Sequence, residues 1–409
     1  MRNAAGHDGR AASADANLLT LRGAAALTVA VFHSLMWLRI PVDEKLLMLP
    51  VWQASTIQGV AVRSLLAAFN GAMAVDFFFV LSGFVLSGAM GGRRISVRVI
   101  VAFYMRRLLR LWPAYAVSLM LVIAGLQLRG DFRVWPQAAS WMVHFYRSHI
   151  DIADGAANLI LLNTELNPVA WSLRIEIVMS AGLPLLLLAA RYLGGILALI
   201  QIVAGFVVAL FCRYDDAGHF FYVFMLGVYG GVFRVELEAA MLRWRIGRRI
   251  LAPLCVAALG VPGLLTLEHH PLADLSMGLG ALALIFALVV DQSAGASATQ
   301  SGMRALLLRY GVLSYSFYLC HFIVLYLVAW TVSTQVPQGV LKEWPLPVML
   351  GVLAVALGPA TLLAHAVHCM VERPCIRIGQ RVACAIDSDS GHGGVNDAAS
   401  VSQAAGRRR

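Results

Sequence analysis

Charge is what this chain has least of. Only 13% of its 409 residues are Asp, Glu, Lys or Arg, against about 25% in an ordinary soluble domain. A charged surface wrapped round a soluble core is therefore excluded as the organising feature. Cysteine chemistry is thin as well. The six cysteines are Cys212, Cys255, Cys320, Cys369, Cys375 and Cys384; they form no CxxC pair and no Cys/His cluster with zinc spacing. Only Cys212 falls near an expected outer surface, so an oxidising compartment finds no pair to bridge. No small-residue cleavage site follows the first apolar segment, which reads as a retained span and not a removed signal. An internal repeat of the kind that marks many transporters is missing, as is a Gly-x-Ser-x-Gly elbow. Basic residues outnumber acidic ones, 32 to 22. They sit between apolar blocks and form no basic stripe with interleaved aromatics, which excludes nucleic acid as a partner.

What is present is apolar length. Hydrophobic residues make up 60% of the chain, in blocks of about 18 to 22 residues, enough to cross ~30 Å of hydrocarbon. Ten segments are expected to be helical: Leu19–Leu38, Ala72–Met90, Leu111–Leu128, Pro168–Ala190, Leu193–Cys212, His219–Phe233, Ile250–Thr266, Leu272–Val290, Gly311–Thr331 and Leu346–His368. The fold class is an all-α polytopic integral membrane protein of about ten transmembrane helices, with the lipid bilayer as its first partner. With the N-terminus inside, the segments on the cytoplasmic side hold 22 Lys and Arg and the outer ones 8, which places both termini in the cytoplasm. Residues 1–17 read as a polar N-tail, 18–381 as the membrane domain and 382–409 as a disordered cytoplasmic tail. Oligomeric state is not legible.

Ionisable groups inside apolar segments cost at least ~2.5–3.5 kcal/mol at the bilayer centre and are functional candidates by default. At about 1.5 Å per residue, His33 lies ~20 Å from the cytoplasmic edge, Asp76 ~6 Å and Glu176 ~12 Å from the outer edge, and His321 near mid-membrane. Arg22 and His33, eleven residues apart, differ by about 20° after three full turns, so they share a helix face ~16 Å apart. They suit two ends of one elongated ligand; an interfacial anchor for Arg22 and a helix–helix hydrogen bond for His33 remain open. Arg107 and Arg110 face the same way at the inner end of the third span, fit either to hold a cytoplasmic anion or to act as positive-inside anchors. Ser82-Gly83 allows close approach of another helix or a ligand. His365, His368 and Glu372 share a helix end, yet without a fourth ligand no metal is expected. The outer loop 129–167 contains Trp135, Trp141, His144, Tyr146, Arg147, His149, Asp151 and Asp154. These fit either a sugar-stacking surface or an interfacial aromatic belt.

Several stretches together carry a resemblance: Leu21-Arg22-Gly23 running to His33; Val75-Asp76-Phe77-Phe78-Phe79-Val80-Leu81-Ser82-Gly83-Phe84; Arg106-Arg107-Leu108-Leu109-Arg110-Leu111-Trp112-Pro113-Ala114-Tyr115; and Trp171-Ser172-Leu173-Arg174-Ile175-Glu176. Leu313 through His321 and Val371-Glu372-Arg373-Pro374 add to it. In this order they resemble the acyltransferase-3 family of membrane acyltransferases, whose members include O-acetyltransferases of surface polysaccharides. Two positions where that family often has a carboxylate hold Leu19-Thr20 and Ile177 here. The resemblance implies an acyl-CoA donor, usually acetyl-CoA, offered from the cytoplasm as a substrate, with no permanently bound cofactor, and a carbohydrate or glycolipid acceptor. It implies a bacterial cytoplasmic (inner) membrane. It also implies that Arg107 and Arg110 receive the donor's phosphates, that Arg22 guides it inward, and that His33 either takes the acceptor's proton or carries the acyl group briefly itself. Asp76 or Glu176 would orient His33, with Ser82, Ser172 and His321 in support. A transporter or flippase for lipid-linked saccharides is the alternative, which the lack of inverted repeats disfavours.

Overall fold

The structure is a computed structural model that describes residues 2–40, 49–90, 95–129, 137–139, 141–142, 145, 152–244, 246–265, 270–289 and 302–388. Among these residues the chain is helical: α1 (Arg2–Met36), α2 (Ile57–Ala68), α3 (Gly71–Met90), α4 (Val97–Arg129), α5 (Ile152–Leu159), α6 (Ala170–Ala209), α7 (Ala217–Val232), α8 (Arg234–Arg243), α9 (Arg248–Leu265), α10 (Pro271–Val289), α11 (Gly302–Gln335), α12 (Gln338–Glu343), α13 (Pro345–Val367) and α14 (Arg373–Ser388). A π-helical turn, His368–Glu372, joins the last two. An isolated antiparallel bridge, Leu38 with Ala138, is the only β pairing among the described residues.

Each of the ten apolar segments lies mainly within a helix, and the molecule is a helical polytopic membrane protein. Among the described residues, length and apolarity alone carry seven spans, or eight when α7 and α8 count as one across their 77° bend. Gly194–Ala209 and Ile250–Leu265 are apolar but fall short of 18 residues, about 27 Å of helix. The first of these is the second half of α6, which breaks at Gly194 (φ 71°, ψ −174°), a backbone conformation that glycine adopts readily and L side chains rarely do. Large apolar side chains such as Leu199, Val203, Val355 and Leu362 point outward, as lipid contact requires and as water would penalise.

Helices meet where glycine removes the side chain. α1 and α11 run in the same direction, and an added Cβ on Gly23 would fall 1.9 Å from the Leu307 carbonyl oxygen. One on Gly311 would fall 1.9 Å from the Leu19 carbonyl oxygen. α3 and α7 cross in the same way at Gly83 and Gly227, closed over by Phe77, Phe79, Phe84, Phe220 and Phe224. Such small-residue contacts let backbones approach where no hydrophobic effect drives association.

Two departures from the sequence reading position the site. α4 starts at Val97, well before Leu111, so Arg107 and Arg110 lie inside the helix, Arg107 about 15 Å from its start. Residues 152–169 fold against the bundle: the Tyr115 hydroxyl donates to Asn158 O at 2.7 Å, and Asn167 Nδ2 to Ser118 Oγ and Leu319 O, both at 3.0 Å. α6 therefore begins level with the middle of α4, and Glu176 drops to the level of Arg107. At the C-terminal end α14 runs to Ser388, past residue 382 where the tail was expected to begin. It packs on α4 through Gly379 and the fully buried Ala383, and Asp387 lies 3.8 Å from Arg106. Residues 389–409 lie outside the described residues, as do Trp135, His144, Tyr146, Arg147, His149 and Asp151 of the outer loop.

Candidate active site

A cavity of about 100 Å³ opens between α1, α3, α4, α6 and α11, room for several water-sized groups. Each helix contributes polar residues at helical spacing or a single one: Arg22 from α1, Ser82 from α3, Arg107 and Arg110 from α4, Ser172 and Glu176 from α6, Ser314, Tyr315 and Tyr318 from α11. The α3 residues that line it are Val75, Phe78, Phe79, Leu81, Ser82, Val85 and Leu86, all but Leu81 at the three- and four-residue spacing of one helical stripe.

The cations are held unequally. Arg107 Nη2 lies 2.6 Å from Glu176 Oε1, and Ser82 Oγ donates to the same oxygen at 2.8 Å. Arg22 Nε donates to Ser314 Oγ at a long 3.3 Å. Arg110 makes no hydrogen bond or ion pair among the described residues, although it faces the cavity. The electrostatic neighbours of Arg22 are Arg110, Glu176, Glu372 and Arg107. Glu372 is itself buried in the π-helical turn, accepting from Ser316 Oγ at 2.6 Å and sitting 3.0 Å from His368 Nδ1. His365 faces Cys369 Sγ at 3.6 Å. With Glu176 committed to Arg107, the cavity presents two guanidinium groups that a ligand anion can reach, a setting that favours phosphate.

His33 lies outside the cavity, farther along α1. Its Nδ1 is 3.0 Å from His321 Nε2, and Trp141 (centroids 6.0 Å, planes 29° apart) and the edge of Phe322 (5.4 Å) enclose the ring. Trp141 is held there by donating its Nε1–H to Met36 O at 2.7 Å. Tyr318 stands between the two regions. It lines the cavity, its ring touches Phe78 (6.4 Å) and His321 (5.9 Å), and its hydroxyl donates to Val169 O at 2.9 Å, with Ser172 Oγ at 2.7 Å.

Arg22, Arg107, Arg110, Glu176, Ser82 and Ser172 thus converge, and His33 meets His321. The expected carboxylate beside His33 is not found. Glu176 is engaged by Arg107 and Ser82. Asp76 follows Val75 and is turned about 100° from it, away from the cavity toward α7 and α10. There it lies buried, both oxygens without a hydrogen-bond partner among the described residues, near a His219–Asp274 pair at 2.7 Å. Tyr315, Tyr318 and Glu372 were quoted in the family-like stretches without a role, and His219 and Asp274 had no signal beyond polarity at the start of an apolar segment.

Fold and cavity together define an integral membrane protein with an arginine-lined cavity and, on the far side of Tyr318, a histidine pair. A family model described as an acyltransferase domain, that of acyltransferase-3, matches residues 15–364. The chain belongs to that family and is an acyltransferase. No curated protein and no solved structure matches it.

Proposed function

We propose that this protein is an O-acyltransferase of a bacterial cytoplasmic membrane, moving an acetyl group from cytoplasmic acetyl-CoA to a hydroxyl of a cell-surface or exported carbohydrate. The observation that carries the reading is the order of groups along α1 and α11: Arg22 in a cavity that Arg110 of α4 also lines, then Tyr318, then His33 with His321. The donor's phosphates pair with Arg110 and Arg22 on the cytoplasmic side, while Arg107, held by Glu176, lines the same cavity. The donor's arm extends past Phe78 and Tyr318, bringing the thioester to His33. The acceptor approaches from outside, where Trp141 offers a flat face to a sugar ring. His33 takes the hydroxyl proton as that oxygen attacks the thioester carbonyl. The C–S bond breaks toward sulfur, and the proton from the hydroxyl neutralises the leaving thiolate.

Protein in nanodiscs, given labelled acetyl-CoA and a polysaccharide fragment, tests this. Label is expected in the glycan, and His33→Ala should lower its transfer by 100-fold or more, as for loss of a general base, on the order of 10²–10⁴. Arg110→Ala should raise KM for acetyl-CoA about tenfold with little change in kcat, the pattern for a lost binding contact. Full transfer by His33→Ala would remove it from the chemistry. A sugar lipid that crosses vesicles without acylation would point to transport instead.

A further inference from the structure

We propose that His321 is a positioning residue that fixes the tautomer of His33, leaving its Nε2 as the free base; the inference rests on the reading of His33 as the group that takes the acceptor's proton. The argument starts with α11. His321 Nδ1 lies 2.8 Å from the Tyr318 carbonyl oxygen and 3.2 Å from that of Phe317. A carbonyl oxygen only accepts, so Nδ1 of His321 carries the hydrogen. The ring is pinned by its own helix, through carbonyls three and four residues back.

In a neutral imidazole one nitrogen donates and the other accepts. His321 is buried, and no carboxylate among the described residues contacts either ring, so nothing nearby compensates an imidazolium. Nε2 of His321 is then a lone pair, and it faces His33 Nδ1 at 3.0 Å. That contact is a hydrogen bond only when His33 Nδ1 carries the hydrogen. The rings lie within 15° of one plane, with centroids 5.3 Å apart. This separation exceeds the N···N distance by about two ring radii, so the rings meet edge to edge, as a straight N–H···N bond requires. His33 Nε2 is left with its lone pair and no partner among the described residues. A carboxylate usually performs this office for a catalytic histidine. Here a second histidine performs it, and the hydrogen-bond chain runs from the α11 backbone through His321 to His33.

Three replacements of His321 separate this role from plain packing. Gln carries an amide whose N–H₂ can donate to the α11 carbonyls while its oxygen accepts from His33. Phe keeps the flat ring and the packing but has neither group, and Ala removes both. Gln is expected to retain at least tenfold more kcat than Phe, with KM for acetyl-CoA unchanged in all three. Nitrogen NMR of histidine-labelled protein supplies a readout that needs no turnover: His33 should be protonated at Nδ1 in the wild type and redistribute toward the Nε2–H form in His321→Phe. Phe equal to or better than Gln in kcat overturns the inference, as does a wild-type His33 protonated at Nε2. A wild type that transfers no acyl group while His33 shows the Nδ1–H form defeats the functional reading and leaves the hydrogen-bond assignment standing.

Discussion

Gly23→Ala should separate α1 from α11 and damage both halves of the site at once. The added methyl would lie 1.9 Å from Leu307 O, 2.7 Å from Gly311 N and 2.9 Å from Leu307 C, all backbone atoms. Real Cβ contacts essentially never fall below 3.0 Å, so the helices must part by about 1 Å, because no side chain can rotate out of the way. Overpacking costs about 1–3 kcal/mol; with rigid backbone on the opposing side the upper end applies, about 3 kcal/mol. The same displacement stretches the Arg22–Ser314 bond, already 3.3 Å, and the His33–His321 bond of 3.0 Å. At about 2.1 cal/mol/K of unfolding entropy per residue over the whole chain, the midpoint should fall by roughly 3–4 °C in a thermal size-exclusion assay, and acyl transfer should fall with it. Gly351→Ala is the control of opposite sign. Gly351 is an exposed helical position with nothing within 4 Å of the added Cβ, where alanine should stabilise by about 0.5–1 kcal/mol. A Gly23→Ala protein with a wild-type midpoint would refute the close approach of α1 and α11.

Glu176→Ala leaves Arg107 without its partner and should cost about 2–4 kcal/mol, somewhat below the 3–5 of a fully buried pair because both groups keep some exposure. A double-mutant cycle with Arg107→Ala should recover a coupling of about 1 kcal/mol or more, and additive losses would contradict the pairing. Phe78→Ala removes one ring of the aromatic contact at the outer end of the cavity and should raise the kcat/KM ratio of hexanoyl-CoA to acetyl-CoA by about tenfold or more; an unchanged ratio would show that Phe78 does not limit the acyl group. Asp76→Asn should leave KM for acetyl-CoA and kcat within about threefold of wild type, since Asp76 faces away from the cavity. A loss comparable to that of His33→Ala would return Asp76 to the chemistry.

Much of the site was legible in one dimension. The eleven-residue interval from Arg22 to His33 fixes a shared face by helix geometry alone, and the structure has Arg22 in the cavity and His33 beyond it on the same helix. Arg107 and Arg110, three apart, likewise reach one cavity. The depth estimates set Glu176 toward the outer edge and Arg107 at the inner end, whereas the two are paired, because the estimates assumed that each helix starts at the membrane edge. The residues before α6 pack into the bundle instead, through Asn158 and Asn167, a non-local arrangement with no periodic signal. The facing of Asp76 was not legible for a different reason: it depends on which neighbours pack against each stripe of α3, and α7 and α10 lie on the stripe that holds Asp76.

By itself the sequence determined the solvent. Long apolar blocks with few charges require lipid, because each charge within the hydrocarbon incurs its cost wherever the chain folds. It also determined which residues share a face of one helix, since 3.6 residues per turn is a property of the backbone. Only the tertiary structure decided which faces meet. Glycine-mediated approaches at Gly23 and Gly311 bring Arg22 to Ser314 and His33 to His321, and the pairing of two histidines in place of a histidine and a carboxylate follows from that register. Partners across helices depend on the packing of several chain segments at once, and no local pattern encodes that.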